Sequence, residues 1–411
     1  MSFGGTLIGQ GIQSFVRWSS SKEVCGSQLR TARRFLFLQY ETALGTAVHA
    51  TPLYEALRKA VPDAYVAVLA SGIPFEVLRY NPHIDTLALT PHPLKNWTAS
   101  LGYFLTKVRH QRAEFDCVMT DSGNGRSRLH LLALLSGIPY RLGFKVPWDF
   151  NHASLGYDSN QSVLQNNLRL LEVLGHSYEA VEPAVYFTHA ELDQVRQLLK
   201  HNGIVENKPL VAFQTQTSGG EPNQWFDDRF IALADALYQQ TGAQLIFLGA
   251  RSETSRIEAL RAQMHAPSFS IAGRTDIPGL AALLSRCDLL VTLDTGTMHV
   301  GRAVNVPMVV IAHGKAPAHE WLPPATEHIR VLRRADVDCS PCRNTPCASR
   351  ECMRRIQVPE VLEAVLAHLQ KFPCSAAARE SRVSRWLRKE TALTGDPRIA
   401  RPATTTPTPL C

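Results

Sequence analysis

Twice along this chain, short apolar runs alternate with segments of helical period, and no hairpin signal joins one run to the next. Strands linked by helices and not by tight turns have to lie parallel, with helices covering both faces of the sheet. The first series reads as strands at Phe35–Leu38, Tyr65–Leu69, His83–Leu89 and Cys117–Thr120, with helices near Ala47–Val61, Leu101–Gln111 and Arg128–Leu135. The second reads as strands at Leu210–Phe213, Gln244–Leu248, Phe269–Ile271, Leu289–Leu293 and Met308–Ile311. Its helices fall near Arg229–Gln240, Thr254–Gln263, Ile277–Arg286 and Met298–Ala303. The fold class is therefore α/β, with two doubly wound halves joined through a hinge region at Leu164–Phe187. A final helix is expected over 356–372.

Length fits that division, since 411 residues make two or three domains of ordinary size. The expected boundaries are an extension over 1–30, a first domain over 31–180 and a second over 181–355. A basic, Thr/Pro-rich tail over 373–411 follows the last helix. Residues 1–30 are rich in Gly and Ser, with a short amphipathic piece at Ile12–Trp18. The formal charge of +7 is carried at the ends: the body, 31–372, holds 33 basic against 32 acidic residues. A nearly neutral body argues against a nucleic-acid partner. No run of 18 apolar residues is present and no secretory signal is evident, so a cytoplasmic chain with reduced cysteines is expected.

Ligands of doubly wound sheets sit beyond the carboxyl ends of the strands, so the loops after Leu38, Thr120, Phe213, Leu248 and Leu293 are where chemistry is sought. After Leu289–Leu293 the chain reads Asp294-Thr295-Gly296-Thr297-Met298-His299 and runs straight into a helix. Free N–H groups at a helix start, with a glycine allowing close approach, suit a diphosphate, and Asp294 can accept from sugar hydroxyls. The alternative is that Asp294 or Thr295 only caps the helix. A second loop, Gln214 to Gly220, offers the hydroxyls of Thr215, Thr217 and Ser218 to phosphate oxygens, or is a plain turn. Neither G-x-G-x-x-G after a strand nor a P-loop occurs, which weighs against nicotinamide enzymes and P-loop NTPases.

Asp294-Thr295-Gly296-x-Met298-His299, late in a second α/β half, resembles the signature of glycosyltransferase family 9, which contains the ADP-heptose:lipopolysaccharide heptosyltransferases. Further segments fit in order: Leu44-Gly45 with Thr51-Pro52-Leu53, Asp121 to Gly143 with Arg126-Ser127, Trp225 with Arg229-Phe230, and Ala272-Gly273-Arg274-Thr275. The resemblance spans roughly residues 33–370 and implies a GT-B fold, two Rossmann-like domains facing across a cleft. It implies an inverting transferase that uses a nucleotide sugar such as ADP-heptose, a saccharide or lipid-linked acceptor, and no catalytic cofactor. Thr295, Gly296 and Thr297 would hold the diphosphate through backbone groups, Asp294 the donor sugar, and His299 would support the loop with Met298. A catalytically impaired sugar-nucleotide-binding protein and a protein O-heptosyltransferase are the alternatives.

Two positions depart from that pattern. The family's first loop reads Gly-Asp, whose Asp is the expected base, where this chain has Gly45-Thr46; and the Lys two residues before the Trp is Asn223 here. Candidate bases are then Asp121, favoured for its place at a strand's carboxyl end, Glu41 in the first loop, and His49 in the first helix. Glu41 is alternatively a solvated loop charge and His49 a packed helix residue. The four cysteines Cys339, Cys342, Cys347 and Cys352 fall within fourteen residues and are either ligands of a structural Zn or Fe or unligated loop thiols. Arg379, Arg382, Arg385, Arg388 and Lys389, around Trp386 and Leu387, fit either peripheral contact with anionic lipid at the inner-membrane face or a solvated helix.

Overall fold

The computed structural model describes residues 29–388, apart from 218–219, 221–222, 316–317, 341, 343–346, 348 and 373. The piece expected at Ile12–Trp18, the Thr/Pro-rich end, Ser218 and Lys389 lie outside the described residues. The chain divides into two compact units, within 29–182 and 183–388.

The first unit is built on β1 (Arg34–Gln39), β2 (Tyr65–Ala70), β3 (Thr86–Leu89), β4 (Cys117–Met119), β5 (Tyr140–Phe144) and β6 (Ala153–Leu155). All are parallel, in the order β3-β2-β1-β4-β5-β6. Helix α1 (Leu44–Ala60) follows β1, α2 (Ser127–Ser136) follows β4, and α3 (Val163–Val173) packs on α1. Phe35, Leu36, Phe37 and Leu38 are all buried, as a strand covered on both faces requires. Burying each such side chain stabilises the fold by about 1.5–3 kcal/mol.

The second unit repeats the plan with β8 (Leu210–Gln214), β9 (Gln244–Leu248), β10 (Ser268–Ser270), β11 (Leu289–Leu293), β12 (Met308–Ala312) and β13 (Ile329–Arg333), ordered β10-β9-β8-β11-β12-β13 and parallel throughout. Before them stand β7 (Phe187–Thr188) and α4 (His189–His201). The covering helices are α5 (Asp227–Thr241), α6 (Ile277–Arg286), α7 (Gly296–Ala303), α8 (Val358–Lys371) and α9 (Ala376–Trp386). Trp225 is buried in this unit's core and its Nε1 donates to the carbonyl of Ile356 at 3.0 Å.

Several elements differ from the expectation. The region 164–187 expected as the junction does hold the boundary between the units, at 182/183, but its first part is α3, whose start is closed by a capping box between Ser162 and Gln165. Residues 101–111 are not one helix: an α-helix over Trp97–Tyr103 passes into a π-helix over Phe104–Val108 and a 3-10 turn. The basic stretch after 373 is not a free surface helix. Arg379 is buried and its guanidinium pairs with Asp288, with Nε 3.0 Å from Oδ1. Arg382 Nη2 lies 3.8 Å from the same carboxylate. Trp386 is buried against Tyr186, and Leu387–Arg388 pairs with β7 as β14. Arg379 and Trp386 are thereby removed from any lipid surface. Among the described residues no helix is long and apolar enough to cross a membrane.

Candidate functional site

In a sheet of order 3-2-1-4-5-6 the chain reverses its winding between the first and fourth strands, and the crevice at their carboxyl ends is the binding place. That point falls between β1 and β4 in the first unit, and between β8 and β11 in the second. Both hold a polar cluster.

In the first unit β1 ends in Gln39, Tyr40 and Glu41, and β4 leads into Thr120-Asp121-Ser122-Gly123-Asn124. Asp121 is fully buried and both oxygens are engaged. Oδ1 accepts from Asn124 N at 3.0 Å and Asn124 Nδ2 at 2.9 Å, while Oδ2 accepts from Gln39 Nε2 at 2.8 Å. Asn124 Nδ2 also donates to Glu41 Oε2 at 2.6 Å, and Asn124 Oδ1 accepts from Tyr40 N at 2.7 Å. One amide therefore bridges two buried carboxyl groups. Glu41 Oε1 has no partner among the described residues. Burial pushes Glu41 up to about 8, the Asp121 charge adds to the rise, and the Asn124 bond and the more distant Arg126 charge oppose it. Asp121 is raised as well, by burial, against the bonds from Gln39 and Asn124. Two carboxyl groups held this close and this dry disfavour the doubly ionised state.

Thr46 abuts this cluster. A Cβ on Gly123 would fall 2.3 Å from Thr46 Cγ2 and 3.4 Å from Asp121 Oδ1, so glycine is needed for the Asp121–Asn124 turn to close over the threonine. His49 is buried in α1, and its carbonyl accepts from Asn167 Nδ2 at 3.2 Å.

In the second unit β8 ends in Gln214, Thr215, Gln216 and Thr217, all buried. Thr215 Oγ1, Thr217 Oγ1 and Gln216 Nε2 have no partner among the described residues. Buried polar atoms are almost always hydrogen-bonded, so three orphans on one loop mark a place made for a polar ligand. This loop is tied to α7, where Thr297 Oγ1 donates to Gln214 Oε1 at 3.2 Å. At the α7 start Thr295 is the N-cap in extended backbone, and no side chain caps the helix. The capping role anticipated as the alternative for Asp294 or Thr295 is not what the geometry shows.

Asp294 instead points toward the loop after β12, with Oδ2 3.5 Å from His313 Nε2. Burial lifts Asp294 to about 6 against the Arg333 charge, and burial together with Lys315 and Arg333 lowers His313 to about 4. Both groups are moved away from their charged forms, so the contact is a neutral imidazole beside a carboxyl group and not an ion pair. Met298 is wholly inside the core, and His299 is buried with its ring lowered to about 3 by burial and Arg302. Neither is placed as a surface ligand residue.

Gln39, Asn124, Gln214 and His313 were not singled out from the sequence. Each lies at a strand's carboxyl end beside or next to the point of reversal, but only the strand order makes that visible. The cysteine loop meets the same region from behind: Cys342 N donates to the carbonyl of Gly314 at 2.9 Å, and a Cβ on Gly314 would lie 3.5 Å from Cys352 Sγ. Among the described residues no three His, Cys, Asp or Glu side chains are grouped to hold a metal ion.

Known proteins carry the same plan. Residues 109–353, more than half of the chain, match glycosyltransferase family 9 (heptosyltransferase). Lipopolysaccharide heptosyltransferase 2 of Escherichia coli K12 is 24% identical over 313 residues, covering 71% of this chain and 85% of that protein. A family 9 glycosyltransferase from Veillonella parvula superposes with a TM-score of 0.72 at 22% identity, over 82% of this chain and 97% of the other. The Escherichia coli ADP-heptose lps heptosyltransferase II does so at 0.67 and 18%, over 82% and 98%. These likenesses establish the GT-B type of fold, two Rossmann-like α/β domains. The chain belongs to glycosyltransferase family 9, the family of the heptosyltransferases.

Proposed function

We propose that this protein transfers heptose or a closely related sugar from an ADP-sugar to a saccharide acceptor of the lipopolysaccharide-core type, inverting the anomeric carbon. The donor half of this reading is carried by one observation: the buried Thr215, Gln216 and Thr217 groups, without partners among the described residues, lie on a loop whose Gln214 is bonded to Thr297 at the uncapped start of α7. A helix start is a ready site for a diphosphate, and its N–H groups and the threonine hydroxyls would meet the charge that grows on the departing ADP. Asp294 would accept from the sugar hydroxyls. The name of the relative that handles ADP-heptose supports the choice of donor.

On the acceptor side a base has to take the hydroxyl proton as the new C–O bond forms and the bond to ADP breaks. Thr46 is not basic near neutral pH. Asp121 has both oxygens engaged, Oδ1 by Asn124 of its own turn and Oδ2 by Gln39, whereas Glu41 Oε1 has no partner among the described residues and its proton is held up to about pH 8. Glu41 is thus the base this geometry favours, and Asp121, with Asn124, its support. A base so matched contributes about 10²–10⁴-fold. The second reading, a donor-binding protein with impaired transfer, is favoured by Thr46 and by the depth at which both carboxyl groups lie. It differs in predicting binding without turnover.

Calorimetric titration with ADP-heptose tests the donor assignment. Asp294→Ala should weaken binding by at least about tenfold, the loss of one or more hydrogen bonds to a charged acceptor, with an unchanged melting temperature. Unaltered affinity for every sugar nucleotide bound by the natural protein would overturn it.

A further inference from the structure

A carboxylate that reads sugar hydroxyls has to be held in one orientation, and here nothing on its own helix does so. Asp294 caps nothing; its Oδ2 lies 3.5 Å from His313 Nε2, and the Arg333 charge also acts on it. The ring of His313 is in turn held at Nδ1, and its backbone is held by Arg333. Its Nδ1 accepts from the backbone N–H of Lys315 at 3.1 Å, so the lone pair is at Nδ1 and the proton of the neutral ring is at Nε2, the nitrogen that meets Asp294. Its backbone carbonyl accepts from Arg333 Nε at 3.3 Å, and Arg333 Nη2 reaches the Gly314 carbonyl at 3.4 Å. Arg333 closes β13 and His313 follows β12, so the brace is built from two adjacent strands of the sheet.

We propose that His313 is a positioning residue for donor recognition: its Nε2–H engages Asp294 Oδ2 and leaves Oδ1 turned to accept from hydroxyls of the donor's sugar. The separation of 3.5 Å is long for a hydrogen bond, and such bonds at reacting sites shorten when the ligand arrives. The ligand feature recognised is the hydroxyl-bearing sugar, not the base or the diphosphate, which are left to the α7 start and the β8 loop. This inference rests on the donor reading above and adds a residue whose effect is confined to one part of the donor.

The test compares ADP-heptose with ADP by calorimetry on the natural chain, His313→Ala and His313→Gln. His313→Ala should weaken ADP-heptose about tenfold and ADP less than about twofold, because only the sugar contact is lost. His313→Gln, whose amide N–H can stand in for Nε2–H, should recover most of that loss. A uniform loss for both ligands would mark His313 as merely structural, and an unchanged ADP-heptose affinity would show that it does not act on Asp294; either overturns the proposal. If the natural chain binds ADP-heptose normally in those cases, the donor reading stands without it. If it binds neither ligand, the donor reading falls and this inference falls with it.

Discussion

Asn124 donates to Asp121 and to Glu41 through one amide nitrogen, and this small bridge opposes, without offsetting, the rise that burial gives both carboxyl groups. Glu41, at about 8 when folded against an ordinary 4.5, binds its proton more tightly in the native state than in the unfolded one. The pH-dependent penalty of its burial is therefore absent below about 4.5, and native stability falls as pH rises from there through about 8. Glu41→Gln should flatten that decline in denaturant titrations at pH 5 and pH 9, while lowering the transfer rate at least about a hundredfold. A variant with an unaltered rate would remove Glu41 as the base. Thr46 offers the converse experiment. Its methyl group stands against Gly123 and beside Asp121, so Thr46→Asp puts an additional carboxylate at the place where the family carries its base. Transfer by that variant should rise at least about tenfold in a steady-state ADP-release assay. At this scale the sequence offers Asp294 and the hydroxyl loop as candidates, because an apolar run ending in Asp-Thr-Gly is a local signal. It did not show His313 or Asn124, whose roles depend on which strands become neighbours.

Elements behave differently from residues in how far they could be read. The central strands were legible because continuous apolar runs such as Leu289–Leu293 belong to strands buried on both faces. β5 was not, since Arg141 and Gly143 interrupt its pattern; Arg141 is buried with its Nε donating to the carbonyl of Phe150 at 2.7 Å and its Nη2 3.3 Å from His152 Nε2. α4 carried a readable signal that went unused: Thr188 and Glu191 form a capping box at its start. The end of the described chain gives the largest difference. A basic stretch looks solvent-facing by composition, yet Arg379 is buried on Asp288, and that carboxylate also accepts from the backbone N–H of Leu210 at 2.8 Å at the head of β8. Removing one partner of a buried pair strands the other charge, at a cost of about 3–5 kcal/mol. Arg379→Ala should accordingly lower the midpoint of urea unfolding by a corresponding amount, while Arg385→Ala, on the same helix and stacked on Trp386, should change it little. Equal effects would mean that α9 is held by something other than this pair.

Each half of the molecule is a parallel sheet of the same strand order, and each brings its polar cluster to the reversal point of that order. The duplication was legible from the alternation of strands and helices, and the family from motifs in matching sequence order. Legibility stopped at the acceptor, because no residue pattern along the chain states which saccharide is glycosylated. On the proposed function, glycosyl transfer needs both the β8 loop, whose Thr215 and Thr217 hydroxyls have no partner among the described residues, and the protonatable Glu41. Its most direct measurement is incubation of the purified chain with ADP-heptose and a heptose-accepting lipopolysaccharide core, following ADP release and the mass and anomeric configuration of the product. One ADP per added heptose, a product of inverted configuration, and a rate lost in both Glu41→Gln and Asp294→Ala are expected. Binding of ADP-heptose with no ADP released and no mass gained would contradict the proposed function and leave a sugar-nucleotide-binding protein in its place.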